Sequence, residues 1–457
     1  MISIPRTSRL KRTFAALAIT GVALAPAQSD SPDAFTEQIV VEGNHVTTSG
    51  GVYRVAAGTD IGGNMLGVDT HSFNSPNRFS VVDRTTNALD DEIIVDREDT
   101  EYLHAVVTES GKVFRWGAPE NGLGGNGQPL SSFREPTELP LAGTAAESER
   151  VVDLAVSEHA AWLLTEAGSV VAWGSNVRGV LGIDGAPGAI HAPTNVPFPA
   201  PVTRILPLYQ ATLFELEDGS LLATGDVRAT TGSFRYSGGV VVDDGSGYAV
   251  PTPVSFPEFG EHRIANTAST MGRWGSDPLF PANAAVLDNG ELYTWGVSRA
   301  DYGTLGNGKP GVQVHARPTM VGENFEGVYG GGDAAFTALS VDRSVYAWGN
   351  NLEGQAGNGT TRHVLAPHRT ITGVELFTTQ HSPSHAVVLT NGELRVWGKN
   401  NWGNLGPGSG SISSPTRVDM SKSPFVGAKV DAIRSLGISF GTKYGNVLEL
   451  DMTYSPQ

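Results

Sequence analysis

Eleven histidines and 47 carboxylates are the side chains of this 457-residue chain that could move a proton or hold a cation, and no cysteine is available as nucleophile or disulfide partner. His104 and His385 each stand twelve residues before a Trp-Gly pair, and His45 falls near the equivalent place. A histidine tied to a repeating position reads as a packing residue rather than a general base. The densest carboxylate run, Asp90, Asp91, Glu92, Asp96, Glu98 and Asp99, lacks the ordered ligand spacing of a calcium loop and reads as a solvated strand edge. The chain has no His-Glu-x-x-His zinc pair and no phosphate loop ending in lysine. No catalytic residue, metal or cofactor is therefore expected. A carboxylate pair acting on glycans is the one enzymatic alternative.

The elements that carry these residues repeat. Apolar strands close on Trp-Gly at 113–117, 170–174, 292–296, 345–349 and 394–398, and weaker copies end at Gly58 and Gly225. Steps between the seven closing glycines are 59, 57, 51, 71, 53 and 49 residues. Before each pair comes a second apolar run and a turn, as in Leu-Thr-Asn-Gly before Leu394, which makes a hairpin with glycine at the tight turn. After each pair comes a glycine-rich loop. Units of this size, too small to bury an apolar face alone, stack or close into a ring. The expected fold is all-β: a β-propeller of seven four-stranded blades, closed to protect its sheet edges, with eight blades as the alternative count.

These residues resemble the regulator of chromosome condensation repeat, whose members form seven-bladed propellers. Asn176, Asn351 and Asn400 stand at the motif's Asn, and Leu123-Gly124, Leu181-Gly182, Leu305-Gly306 and Leu405-Gly406 fit its Leu-Gly. The resemblance covers roughly residues 38–457 and implies a scaffold in which Trp116, Trp173, Trp295, Trp348 and Trp397 are inter-blade core. Departures are the missing Trp in the first and fourth units, Pro119 for Asn, two extra residues before Leu305, and Ala356 for Leu. The segment 432–451 reads as a hairpin half that closes the ring against 38–55. Insertions are expected near 68–100 and 226–262.

Residues 1–27 carry four basic and no acidic residues, an apolar stretch from Phe14 to Ala25 and a small-residue site ending at Ala27. This is the pattern of a secretory signal peptide of bacterial kind, cut after Ala27, with 28–37 as a linker to a single propeller domain over 38–457. No segment is long enough to span a membrane. Removing the signal moves the net charge from −16 to −20, which disfavours nucleic acid and suits a basic protein partner.

Function in such a ring is carried by its loops. The variable positions after each Trp-Gly are Glu120, Arg178, Arg299, Tyr302, Glu353 and Trp402, of types found at protein-binding hot spots. The resemblance implies two precedents: intracellular nucleotide exchange factors for small GTPases, and secreted propellers that inhibit class A β-lactamases. The expectation is an exported, monomeric, non-enzymatic propeller that binds a protein through one face. A secreted glycan-binding or glycan-processing propeller and an inhibitor of a secreted enzyme are the alternatives.

Overall fold

The computed structural model describes residues 40–42, 45–47, 51–61, 72–81 and 88–454, except 90–91, 101–102, 158–159, 186–187, 232–235, 238–239, 242–246, 271–281, 299–300, 332–333, 379–382, 406–409, 419–427 and 441–442. The expected signal peptide and linker lie outside them, as do Asp90, Asp91 and Arg299.

Seven four-stranded antiparallel sheets form a ring, a seven-bladed β-propeller. Blades 2 to 7 each use four strands met consecutively along the chain, apart from a short ribbon inside blade 4. Their first strands are Ile94–Asp99, Val151–Val156, Val202–Leu208, Ile264–Thr270, Phe325–Gly331 and Val374–Phe377. First strands of several successive blades touch one another, which places them around the axis. Blade 1 is composite: Lys429–Phe440 and Lys443–Tyr454 from the end of the chain pair with Gly51–Ile61 and Ser72–Val81 from its beginning. The hairpin half thus completes the first blade and leaves no eighth one.

Second and third strands read as continuous apolar runs because both of their faces are covered by neighbouring blades. Leu103–Thr108, Ala160–Thr165, Ala211–Leu216 and Ala282–Leu287 are buried along their whole length, whereas fourth strands such as Phe133–Glu138 are largely open. The core is therefore a series of layers between blades. Leu103, Val107 and Leu123 of blade 2 pack with Trp173 of blade 3, and Leu339 and Val345 of blade 6 pack with Trp397 of blade 7.

A directional hydrogen bond recurs across five of these layers. Trp173 Nε1 donates to the Leu123 carbonyl at 2.8 Å, Trp295 to Ala229 at 2.9 Å, Trp348 to Thr304 at 3.0 Å and Trp397 to Gln355 at 2.9 Å. Every acceptor lies in the loop of the preceding blade. Thr224 occupies the Trp position of blade 4, and its hydroxyl donates to Val180 at 2.6 Å, so the hydrogen bond survives loss of the indole. The closing glycine is required by space and by backbone conformation: Gly349 has φ of 101°, and a Cβ there would lie 2.4 Å from the Ala334 carbonyl oxygen.

Two stretches read as insertions are in part blade. Ser72–Val81 is the fourth strand of blade 1 and Ile94–Asp99 the first of blade 2. Likewise Gly247–Val254 is the fourth strand of blade 4, which confines the extra chain to a helical turn at Val227–Thr231 and the ribbon of Tyr236–Ser237 with Val240–Val241. The reading of the acidic run as solvated is also corrected at two positions. Asp96 and Asp99 are buried: Asp96 Oδ2 accepts the Leu154 N–H of blade 3 at 2.8 Å, and Asp99 is held by Arg97 and His104.

Trp397→Phe removes the Nε1 donor and strands the buried Gln355 carbonyl, so stability is expected to fall by about 1–3 kcal/mol. Trp397→Ala also opens a cavity, and a loss of about 3–5 kcal/mol is expected. The midpoint of urea unfolding measures both, and equal stability of the Phe variant would remove the hydrogen bond from this account.

Candidate binding face

Antiparallel order puts the loops that follow the third strands on one face of the ring, together with the turns joining first to second strands. The opposite face carries the tight hairpins and the blade-to-blade connections. Glu109, Glu166, Glu217, Asp218, Asp288 and Asp342 are exposed at those hairpins.

Three of the loops after a Trp-Gly are shaped by an asparagine two residues beyond the glycine. Asn176 Oδ1 accepts the N–H of Leu181 at 3.0 Å, Asn351 that of Ala356 at 2.8 Å, and Asn400 that of Leu405 at 2.9 Å. Ser298 does the same in blade 5, accepting from Thr304 at 3.0 Å. The folded loop then clasps the next blade. Gly127, Gly308 and Gly359 donate their N–H to His191, Leu365 and Ser413 at 2.8, 2.8 and 2.7 Å. Close approach again demands glycine: a Cβ on Gly354 would sit 2.6 Å from the Ser413 Cα.

The variable loop residues are distributed one or two to a blade, and several reach across a junction. Arg178, in the left-handed region with φ of 58°, turns its Nε to Gln210 Oε1 of blade 4 at 3.3 Å and lies 3.5 Å from the Asp226 carboxylate. Tyr302 meets the His363 ring of blade 6 edge-on at 4.8 Å, and burial lowers the His363 pKa. Glu353 accepts the Ser411 hydroxyl of blade 7 at 2.5 Å. Glu120 and Trp402 are half-buried, and Arg299 lies outside the described residues.

Exposed apolar side chains on the same loops were not singled out from the sequence. Val177 and Leu352, each three residues past the closing glycine, are 47% and 43% exposed, and Leu130 and Val312 also stand open. The signal was an apolar residue at a repeat position that Glu120 and Asn401 fill elsewhere.

The histidines of the repeat are sealed. His104 stacks on Trp116 at 5.7 Å and His385 on Trp397 at 5.4 Å, with Phe336 stacked on Trp348 at the same place in blade 6. His104 Nδ1 lies 2.8 Å from Asp99 Oδ1, but the pair is buried and offers no open side to a substrate. Burial opposes the Asp99 charge, yet Arg97 and His104 outweigh it and hold the carboxyl far below its usual range. A Gly-x-Ser-x-Gly string does occur at 437–441, but its Ser439 lies within the strand Lys429–Phe440 rather than at the strand-to-helix elbow that exposes a nucleophile. Among the described residues no three His, Asp or Glu side chains are grouped to hold a metal, and no helix is long and apolar enough to cross a membrane.

Desolvation lowers the His385 pKa from 6.5 to about 4. The folded chain then binds fewer protons than the unfolded one between those values, so stability falls as pH drops through that window, by up to about 3 kcal/mol. His385→Phe, which copies Phe336, should flatten this slope. Urea midpoints at pH 7 and 4.5 for both chains measure it, and parallel losses would assign the effect to other groups.

No family model matches the chain. Among curated proteins it is 26% identical to human E3 ubiquitin-protein ligase HERC2 over 313 residues, which are 66% of this chain and 6% of that protein. It is 33% identical to the ultraviolet-B receptor UVR8 of Arabidopsis thaliana over 140 residues, 30% of this chain and 31% of that protein. The chain thus spans well under two thirds of the length of both relatives. Among solved structures, Prp20p of Saccharomyces cerevisiae, a yeast RCC1 studied for its binding to Gsp1p and histones, superposes with a TM-score of 0.63 at 16% identity, covering 92% of this chain and 97% of that one. The homologues are RCC1-repeat proteins, and the neighbouring structures share the seven-bladed ring.

Proposed function

We propose that this chain is an exported, non-enzymatic propeller that binds a protein partner through the face bearing the loops after each Trp-Gly. An RCC1-like propeller supports a protein-binding scaffold in general terms. The observation that carries the choice of face is the exposure of Val177, Leu352, Leu130 and Val312 on loops whose backbones are clamped from both sides. Apolar side chains held rigidly in the open lose little entropy on docking and gain from being covered. The sealing of the Asp99–His104 pair in the core favours a packing role for it over a catalytic one. Prp20p, a fold neighbour, is described by its binding to Gsp1p and histones, and the net charge of −20 left after removal of residues 1–27 suits a basic partner.

The test is capture from culture fluid and envelope extract with residues 28–457 as bait. Val177→Asp with Leu352→Asp is expected to reduce recovery of the partner about tenfold, since one desolvated contact is worth ~1.4 kcal/mol or more. Glu109→Lys with Asp288→Lys, on the hairpin face, is expected to leave recovery unchanged. The reverse pattern would move the site to the acidic hairpins. Export has its own measurement: Edman sequencing of the protein from culture fluid should begin at Gln28, and an intact Met1 would overturn it.

A further inference from the structure

The loop of blade 6 is closed by an imidazole where that of blade 3 is closed by a carbonyl. In blade 3 the Asn176 N–H donates to the Gly188 carbonyl at 2.5 Å. In blade 6 the equivalent Asn351 N–H donates to His363 Nδ1 at 3.3 Å. Gly188 and His363 each stand twelve residues past their asparagine, so the two acceptors hold one place in the repeat. The Asn351 side chain closes the same loop, its Nδ2 donating to the Thr360 and Arg362 carbonyls at 2.9 Å each. Leu352, one of the exposed apolar residues, is next along the chain.

Blade 5 also closes its loop on a histidine. Asn307 Oδ1 accepts the Lys309 N–H at 3.1 Å, which turns the amide so that Nδ2 donates to His315 Nε2 at 3.0 Å. The other ring nitrogen, Nδ1, donates to the Thr294 carbonyl at 3.2 Å. Val312 stands open on that loop. Both rings thus accept through a nitrogen lone pair that only the neutral imidazole has. An imidazolium carries N–H at both nitrogens, so protonation sets N–H against N–H at Asn351 and at Asn307.

Both histidines are half-buried, and desolvation lowers their pKa. Asp301 of blade 5 opposes this at His363; at His315 the bond to Thr294 opposes it and Lys309 reinforces it. The Tyr302 ring of blade 5 meets His363 edge-on, and Arg362 precedes it in the chain. A histidine whose pKa is lower in the closed loop stabilises that loop fully above the ordinary histidine value of about 6.5, and the stabilisation is lost as pH falls below it.

We propose that His363 and His315 make the loop-bearing face acid-sensitive: the loops carrying Leu352 and Val312 keep their shape at neutral pH, and acidification opens them and releases the partner. The loop of blade 3, closed by a carbonyl, does not respond, so Val177 stays in place while Leu352 moves. The inference rests on the loop-bearing face being the binding face.

Amide exchange of residues 28–457, read residue by residue at pH 7.5 and at pH 5, tests the closure without a partner. Taking the rate at Asn351 relative to Asn176 removes the pH dependence common to both amides. That ratio is expected to rise about tenfold at pH 5. His363→Asn places Oδ1 where Nδ1 accepted and binds no proton in this range, so its ratio is expected to stay constant. An unchanged ratio in the parent overturns the proposal, and so does an equal rise in the variant, which assigns the loosening to His385 or to the fold at large. Partner captured from culture fluid at pH 7.5 and washed at pH 5 is expected to be released by the parent and retained by His315→Gln with His363→Asn. Equal release from both overturns the regulation. Capture indifferent to Val177→Asp with Leu352→Asp, with the exchange ratio still rising in acid, overturns the loop-face reading and the release with it and leaves the histidine closure standing.

Discussion

Five junctions of the ring rest on one kind of hydrogen bond between neighbours: a donor on the third strand of a blade, indole or threonine, reaching a carbonyl in the loop of the blade before it. Apolar layers alone would let two twisted sheets slide, because the hydrophobic effect has no direction. The bond from Trp173 to Leu123, repeated by Thr224, Trp295, Trp348 and Trp397, fixes the offset and angle between sheets. It also ties the loop's shape to the blade that follows. A loop braced by its own asparagine holds its carbonyl still for the indole, and the indole excludes water from the loop's underside. Local and non-local order therefore depend on each other, which is the consistency expected of a sequence that specifies one fold.

Nearer the axis a second set of polar contacts does related work with less regularity. Asp96 accepts from Leu154 between blades 2 and 3, and Asn266 exchanges two bonds of 2.8 Å with Val328 between blades 5 and 6. Arg204 donates to Ile264 and Ala265 between blades 4 and 5. At the composite blade Arg434 is half-buried between Glu449 and Asp451; desolvation works against its charge, and the two carboxylates outweigh it and raise its pKa. Breaking such a pair would leave an uncompensated charge in the interior, a larger cost than the pair's own net contribution.

Much of the fold was legible because its signals are periodic and local: Trp-Gly, the hairpin glycines and the Asn two residues on all recur within one unit, and the hairpin half at 432–451 declared itself as a closing element. The face was harder to read. Arg178, Tyr302 and Glu353 looked like free variable residues because their partners Gln210, His363 and Ser411 belong to another repeat, at a distance along the chain that no local pattern reports. Asp96 and Asp99 looked solvated for the same reason. Val177 and Leu352 went unnoticed since Glu120 and Asn401 stand at the same place in other units, so the position shows no consistent apolar signal. The substitution of Thr224 for Trp shows the reverse case, in which a lost sequence signature hides a conserved bond geometry.

The composite blade sets how the ring answers to force. Gly51 pairs with Tyr454 and Ile61 with Tyr444, so the two strands that seal the circle enter and leave at the same end. Tension applied at residues 51 and 454 would open their pairing from one end, peeling one bonded pair at a time instead of loading all eleven in parallel shear. The seal is mechanically soft along that direction even where it is thermodynamically firm. The same adjacency leaves those two positions a single strand spacing apart, ~4.8 Å, so a short peptide bridge could join them and new ends could be cut at another blade without altering the circle.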